Sequence, residues 1–331
     1  MYPILSEKQL ENLSHWKYNV MDLSITCQIL SPLWDFLLNQ LPTTVAPNLL
    51  TLCGLFLSLT IWLITEYVYV DIPLVILFYF LISTLDALDG KQARRIGNST
   101  PFGELFDHSV DIITLFVILR NTLIIYDLRD NDCLPFLILA GSAFCWSHYC
   151  AYIDGYLTLA RFTGPYEMLS LVIFSYLTSP WIPWNYLLES PMIQSISFFI
   201  CFLIPLYYKM DHRPLRKELL AQIDPDQYRP INNALAGLSL LLSLALLLSN
   251  FWYISNLQII CIFILINAEL IVIKMAQTNF RFQLYFFCLA CLFNQWISFA
   301  IVVVILLTQF RQIQQYLGIP FLSVFHGKLS S

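Results

Sequence analysis

Asp86-x-x-Asp89-Gly90-x-x-Ala93-Arg94, eight residues, then Gly103-x-x-x-Asp107-x-x-x-Asp111 is the stretch of this chain whose residue types and spacing suit chemistry. Asp86 and Asp89 are three apart, and Asp107 and Asp111 four apart, so on helices each pair shares one face. Two such faces joined by a polar turn bring oxygen ligands together for a hard divalent cation. Two cations about 3.5–4 Å apart polarise a phosphoryl group and stabilise both the attacking and the leaving oxygen. A helix-end salt-bridge cluster with Lys91, Arg94 and Arg95 would explain the charges, but neither the spacing nor the two glycines. Gly90 and Ala93 remove bulk about one turn from Asp86 and Asp89, and Gly103 does the same at the start of the second face. That space admits either a pyrophosphate or a closely packed helix. The planar fork of Arg94 suits a diphosphate. Lys91 and Arg95 add positive charge, or serve only as anchors of membrane topology.

Apolar runs flank the motif, Val75–Ser83 before it and Ile112–Leu119 after it. The chain is 58% hydrophobic and 12% charged, with a mean hydropathy of +0.68. Soluble domains carry roughly a quarter charged residues. The composition therefore predicts an all-α, polytopic integral membrane protein, and the long unbroken apolar runs exclude an alternating barrel pattern. A carboxylate at membrane depth costs roughly 2.5–3.5 kcal/mol. Four together repel one another unless cations neutralise them.

At about twenty apolar residues per span, ten transmembrane helices are expected, near 46–66, 70–88, 105–126, 134–157, 166–182, 192–208, 231–250, 253–274, 281–295 and 296–311. With the N-terminus in the cytosol, this count leaves only Arg120 and Arg129 of the 17 lysines and arginines on the luminal side, as the positive-inside rule requires. The carboxylate motif then lies at the cytosolic end of the second and third spans. Residues 1–45 read as a cytosolic and interfacial segment. Within it, Leu10, Leu13, Trp16 and Val20 recur at helical spacing, and Leu30, Leu33, Trp34, Phe36, Leu37 and Leu41 suggest an amphipathic helix on the membrane surface. Residues 46–210 hold the motif-bearing helices, 211–230 form a charged cytosolic loop, and 231–331 are C-terminal transmembrane helices. No cleavable signal peptide is read at the start, so the first span would direct insertion. The nine cysteines show no disulfide framework, and Cys288-x-x-Cys291 sits in an apolar run as two small core residues.

The motif resembles the signature of the CDP-alcohol phosphotransferase family, with every required position filled. Asp86-Ala-Leu-Asp-Gly-Lys-Gln-Ala-Arg-Arg and Gly103-Glu-Leu-Phe-Asp-His look like its eukaryotic choline/ethanolamine branch. So do Trp16-Lys-Tyr-Asn-Val-Met-Asp22-Leu-Ser24 and Ala46-Pro47-Asn48-x-x-Thr51. The detailed similarity runs from about residue 15 to 160, and past it only hydropathy and the neighbourhood of Met275-Ala-Gln-Thr278 suggest kinship. The resemblance implies Asp86, Asp89, Asp107 and Asp111 as ligands of Mg²⁺ or Mn²⁺, two ions in all, with Asp111 also the general base. It implies Asn48, Gly90, Lys91, Ala93, Arg94 and Gly103 around the CDP-alcohol. Glu104, and His148 in His148-Tyr-x-x-Tyr152-x-x-Gly155, are further catalytic candidates, and His108 lies beside the metal site. For Glu104 the alternative is a polar flank, for His148 a hydrogen-bonded core histidine, and for Asn48 and Thr51 a cap on the first span. Glu269, near Asn267, is a buried charge without an evident role. Ser109 departs from the branch, which has glycine after Asp-His, and could narrow the site or alter headgroup preference.

The implied reaction joins CDP-ethanolamine or CDP-choline to diacylglycerol, releasing CMP, in the endoplasmic reticulum or Golgi membrane with the site facing the cytosol. A homodimer is implied, and no nucleic-acid partner. A quaternary ammonium is held by aromatic faces, but 25 Phe, 18 Tyr and 8 Trp make aromatic content uninformative about the headgroup. The rival readings are an inositol or similar acceptor, a transporter, and a non-catalytic homologue. A transporter would show inverted repeats, and none is visible.

Overall fold

The structure is a computed structural model of the 331-residue chain. It describes residues 4–68, 71–128, 130–159, 161, 164–190, 255–278, 281 and 283–322. The elements run α1 (Glu7–Ser14), β1 (Val20–Asp22), α2 (Ile25–Gln40), α3 (Pro47–Tyr67), α4 (Ile72–Arg95), α5 (Pro101–Ile125), α6 (Asp130–Asp154), β2 (Leu157–Leu159), α7 (Pro165–Thr178), α8 (Trp184–Glu189), α9 (Asn256–Ala276), α10 (Gln283–Cys291) and α11 (Gln295–Leu317). Among the described residues the protein is all-α apart from one short β1–β2 pair, beside which the Leu23 amide donates to the Leu159 carbonyl.

Six described helices are long and apolar enough to cross a membrane: α3, α4, α5, α6 over Cys133–Tyr152, α9 and α11. They match the first four expected spans, the eighth and the tenth. The fifth and ninth spans are helices of only 14 and 9 residues. At 1.5 Å per residue each is well short of a 30 Å core. Polar and turn-forming residues interrupt the apolar runs there, Thr178-Ser179-Pro180 after α7 and Asn294 after α10. The spans expected at 192–208 and 231–250, and the loop 211–230, lie outside the described residues.

The N-terminal segment also departs from its periodicity. Leu10 and Leu13 are buried on α1, but the helix stops at Ser14, Trp16 lies past its cap and Val20 is in β1. α1 starts on a capping box in which Ser6 accepts from the Gln9 amide and the Gln9 side chain accepts from the Ser6 amide. α2 carries the expected second stretch. Trp34 and Cys27 are its buried residues, whereas Ile25, Ile29, Leu33 and Phe36 are exposed on another face.

The fold divides into two compact units. One contains Met1–Asn19, Asp130–Leu157 and Ser190–Gln309. Here α9 packs along α6, and α1 and α10 pack on α9. A Cβ on Gly141 of α6 would come within 2.5 Å of the Phe263 ring on α9, so only glycine allows this approach. Glu269 on α9 is fully buried and held by Arg281, which also donates to the Ile4 carbonyl. Gln9 and Asn12 of α1 donate to the Thr278 hydroxyl and the Ala276 carbonyl.

The other unit contains Val20–Arg129, Thr158–Glu189 and Phe310–Ser331. α3 packs against both α4 and α5, and its pattern shows why. Thr51, Gly54, Ser58, Ile61 and Thr65 are buried, while Leu49, Leu52, Phe56, Leu59 and Leu63 are exposed. Small and polar residues face protein and large apolar ones face outward, the arrangement that lets membrane helices approach closely. Ser58 bonds back to the Gly54 carbonyl and sits 3.1 Å from the Thr114 hydroxyl of α5.

Candidate metal and nucleotide site

α4 and α5 position the four aspartates. α4 ends at Arg95, and Gly97 follows in the left-handed region at φ 66°, where the Asn98 amide reaches back to the Ala93 carbonyl. This is a glycine C-cap. α5 then begins with Pro101 after Thr100, whose hydroxyl accepts from the Gly103 amide at 3.0 Å. The tight turn folds α5 back so that the two aspartate faces meet. Carboxylate oxygens of Asp86, Asp89 and Asp107 lie within 4.8 Å of one another, as do ligating atoms of Asp107, His108 and Asp111. Asp89 is buried, whereas Asp86, Asp107 and Asp111 are partly open. Asp107 Oδ1 is buried with no hydrogen-bond partner among the described residues. Such an oxygen among four aspartates and His108 fits a divalent cation.

Neighbouring elements hold these carboxylates. The Thr51 hydroxyl of α3 donates to Asp89 Oδ2 at 2.5 Å. The Tyr166 hydroxyl of α7 donates to Asp86 Oδ2 at 2.5 Å. Thr51, which the sequence offers as a cap on the first span, thus holds an aspartate, and nothing in the sequence marks Tyr166. Tyr166 is one of 18 tyrosines and lies 80 residues from its partner, so spacing carries no trace of it.

The other sequence candidates divide. His108 belongs to the cluster, with Nε2 4.0 Å from Asp107 Oδ2. Glu104 is buried on α5 about one turn before Asp107 and lies outside the two ligand groups. Lys91 turns to α2, where it donates to Asp35 at 2.7 Å and Ser31 at 2.9 Å. The Asp35 carboxyl is held below the usual carboxylate range by that hydrogen bond. Arg95 donates to the Leu38 and Leu41 carbonyls at the end of α2, and Gln92 donates to the Pro42 and Val45 carbonyls. These residues brace α2 and the turn after it. The Arg94 guanidinium lies over Gly90, where an added Cβ would sit 3.2 Å from it. Ala93 is on the same final turns of α4, and its carbonyl is taken by the cap.

Asn48 donates its amide to the Phe321 carbonyl at 2.8 Å, and its Oδ1 is 3.5 Å from where a Gly103 Cβ would lie. Gly103 thus permits close approach of Asn48 and the Thr100 hydroxyl. Phe321 packs edge-on against Phe102 and Phe106, so α3, α5 and the segment after α11 meet here. The Ser109 hydroxyl bonds to the Leu105 carbonyl of its own helix at 2.6 Å. His148 lies in the first unit, buried on α6, with Nδ1 3.2 Å from the Phe144 carbonyl, which requires the proton to be on Nδ1.

Residues 44–163 match the family model described as CDP-alcohol phosphatidyltransferase. The matched stretch is well under half of the chain and contains both aspartate faces. Several curated proteins are similar over about half of the chain. An uncharacterized CDP-alcohol phosphatidyltransferase class-I family protein of Schizosaccharomyces pombe is 38% identical over 183 residues, covering 51% of this chain and 47% of that protein. Cholinephosphotransferase 1 of Gallus gallus is 36% identical over 171 residues, 47% of this chain and 50% of its own. Choline/ethanolaminephosphotransferase 1 of Saccharomyces cerevisiae is 34% identical over 187 residues, 51% of this chain and 46% of its own. The chain spans about half the length of the curated relatives it matches.

Proposed function

We propose that the chain transfers phosphoethanolamine or phosphocholine from CDP-ethanolamine or CDP-choline to diacylglycerol, yielding phosphatidylethanolamine or phosphatidylcholine and CMP. The observation that carries this is the convergence of Asp86, Asp89 and Asp107, and of Asp107, His108 and Asp111, at the α4–α5 turn. Names of the relatives support the headgroup class.

Asp86, Asp89, Asp107 and Asp111 would hold Mg²⁺ or Mn²⁺, two ions by our reading. Bound there, the ions polarise the diphosphate and stabilise charge on the leaving oxygen. The protein's own groups do the rest. Asp111 takes the proton of the lipid hydroxyl, whose oxygen attacks the β-phosphorus as the bond to CMP breaks. Gly90, Ala93 and Arg94 receive the diphosphate, with the guanidinium fork already poised over Gly90. Lys91, Asn48 and Gly103 act through position, by fixing α2 and the α3–α5 approach. Glu104 and His148 are the further catalytic candidates, by the motifs around them. Holding donor and acceptor together is itself a large part of such catalysis.

We place the catalytic helices at 46–210, preceded by the interfacial segment 1–45 and followed by a loop at 211–230 and C-terminal helices at 231–331. The site faces the cytosol of an endoplasmic reticulum or Golgi membrane, and the protein works as a homodimer. The test uses membranes of a host lacking this activity, with Mg²⁺, diacylglycerol and equal labelled CDP-choline and CDP-ethanolamine. Wild type should form labelled phospholipid and CMP, and Asp111→Asn should lose at least about a hundredfold in rate. Absence of product from both donors, with the protein inserted and folded, would overturn the assignment.

A further inference from the structure

We propose that Tyr166 is a positioning residue that sets Asp86 for cation binding, an inference resting on the reading of the carboxylate cluster as a metal-dependent site. Tyr166 lies on α7, outside both helices of the motif and beyond the 44–163 match. Its hydroxyl donates to Asp86 Oδ2 at 2.5 Å, the length of a bond from a hydroxyl to a charged oxygen.

The tyrosine is itself held from two sides. Its ring lies 5.2 Å from that of Trp34, which is 2% exposed and clusters with Cys27, Leu50 and Leu88. The next residue, Glu167, accepts from the Ser24 hydroxyl at 2.6 Å and the Thr26 amide at 3.0 Å at the start of α2. The first turn of α7 is therefore pinned to α2, and Tyr166 leaves it with little freedom.

Thr51 supplies the counterpart on Asp89. Each aspartate of α4 thus has Oδ2 engaged by a neutral hydroxyl, and its other oxygen is directed by that bond. Donors of this kind orient ligand groups around a metal, and their loss weakens metal affinity about 10- to 100-fold.

The experiment titrates the purified full chain with Mn²⁺, following free Mn²⁺ by electron paramagnetic resonance, with CMP release measured alongside. Tyr166→Phe keeps the ring against Trp34 and removes only the hydroxyl. It should weaken Mn²⁺ binding about tenfold or more. Saturating Mn²⁺ should restore turnover close to wild type. In an Asp86→Asn background the same change should have less than about a twofold effect, since the two residues act through one bond. An Mn²⁺ affinity of Tyr166→Phe within twofold of wild type, or an equal loss in the Asp86→Asn background, would overturn the inference. If Tyr166→Phe does not fold, infrared difference spectra of wild type with ring-deuterated tyrosine report the same bond. A tyrosine C–O band that shifts on Mn²⁺ addition supports the role, and its absence overturns it. Mn²⁺ binding that weakens in Tyr166→Phe, from a wild type that releases no CMP, would sink the proposed reaction and leave the positioning role standing.

Discussion

Asp86 and Asp89 each share one oxygen with a hydroxyl, from Tyr166 and Thr51, while Asp107 keeps a buried oxygen with no partner among the described residues. The acidic half of this arrangement was legible in the chain, because offsets of three and four on a helix place side chains on one face whatever the tertiary fold. The hydroxyl half was not, because Tyr166 and Thr51 come from other helices and no local period links them to α4. Ser109 shows the opposite case, in which a sequence anomaly loses its apparent meaning. Its hydroxyl is taken by the Leu105 carbonyl of its own helix. Ser109→Gly should therefore leave the ratio of choline to ethanolamine product within about twofold, while costing roughly 0.5–1 kcal/mol of helix stability. Competition between the two labelled donors reads the first, and thermal unfolding in detergent reads the second. A ratio shifted severalfold would mean that the serine does face the headgroup.

The α4–α5 hairpin is the element on which the site depends, and Gly97 is its hinge point. At φ 66° a side chain there costs about 1–2 kcal/mol, although nothing lies within 4 Å of an added Cβ. The strain is purely one of backbone, so Gly97→Ala should destabilise the protein by about that amount. It should also weaken Mn²⁺ affinity, because a changed turn moves Asp107 and Asp111 relative to Asp86 and Asp89. A stability loss with unchanged Mn²⁺ affinity would show that the turn does not set the spacing. Element lengths were legible for long uninterrupted apolar runs and not for short ones. α7 and α10 read as spans by hydropathy, but their helices stop where Thr178-Ser179-Pro180 and the residues before Asn294 turn the chain. α1 shows the same limit, since the apolar spacing continues to Trp16 and Val20 after the helix itself has ended.

At the scale of the molecule, the partition into two units interleaves the chain in a way that hydropathy does not reveal. Composition still dictates the class, because backbone groups in a bilayer must be satisfied within helices. It is silent on pairings such as Glu269 with Arg281, which gives the lone buried acid of α9 its role. Arg281→Leu leaves that carboxylate buried without its cation and should cost about 3–5 kcal/mol. Adding Glu269→Met should recover much of the loss, as replacement of a whole buried pair is often near neutral. Unfolding in mixed micelles measures both, and an Arg281→Leu protein as stable as wild type would show the pair to be unimportant.

The contact between Asn48 and the Phe321 carbonyl bears on biogenesis. A ribosome delivers Asp86 through Asp111 early, yet the segment that closes onto α3 and α5 emerges about two hundred residues later. At roughly 5–20 residues per second the wait is on the order of ten to forty seconds. During that interval α3 and α5 are already made but lack the segment that packs on both. Asn48, Phe102 and Phe106 therefore wait for their contacts with Phe321 long after the helices that carry them have been made.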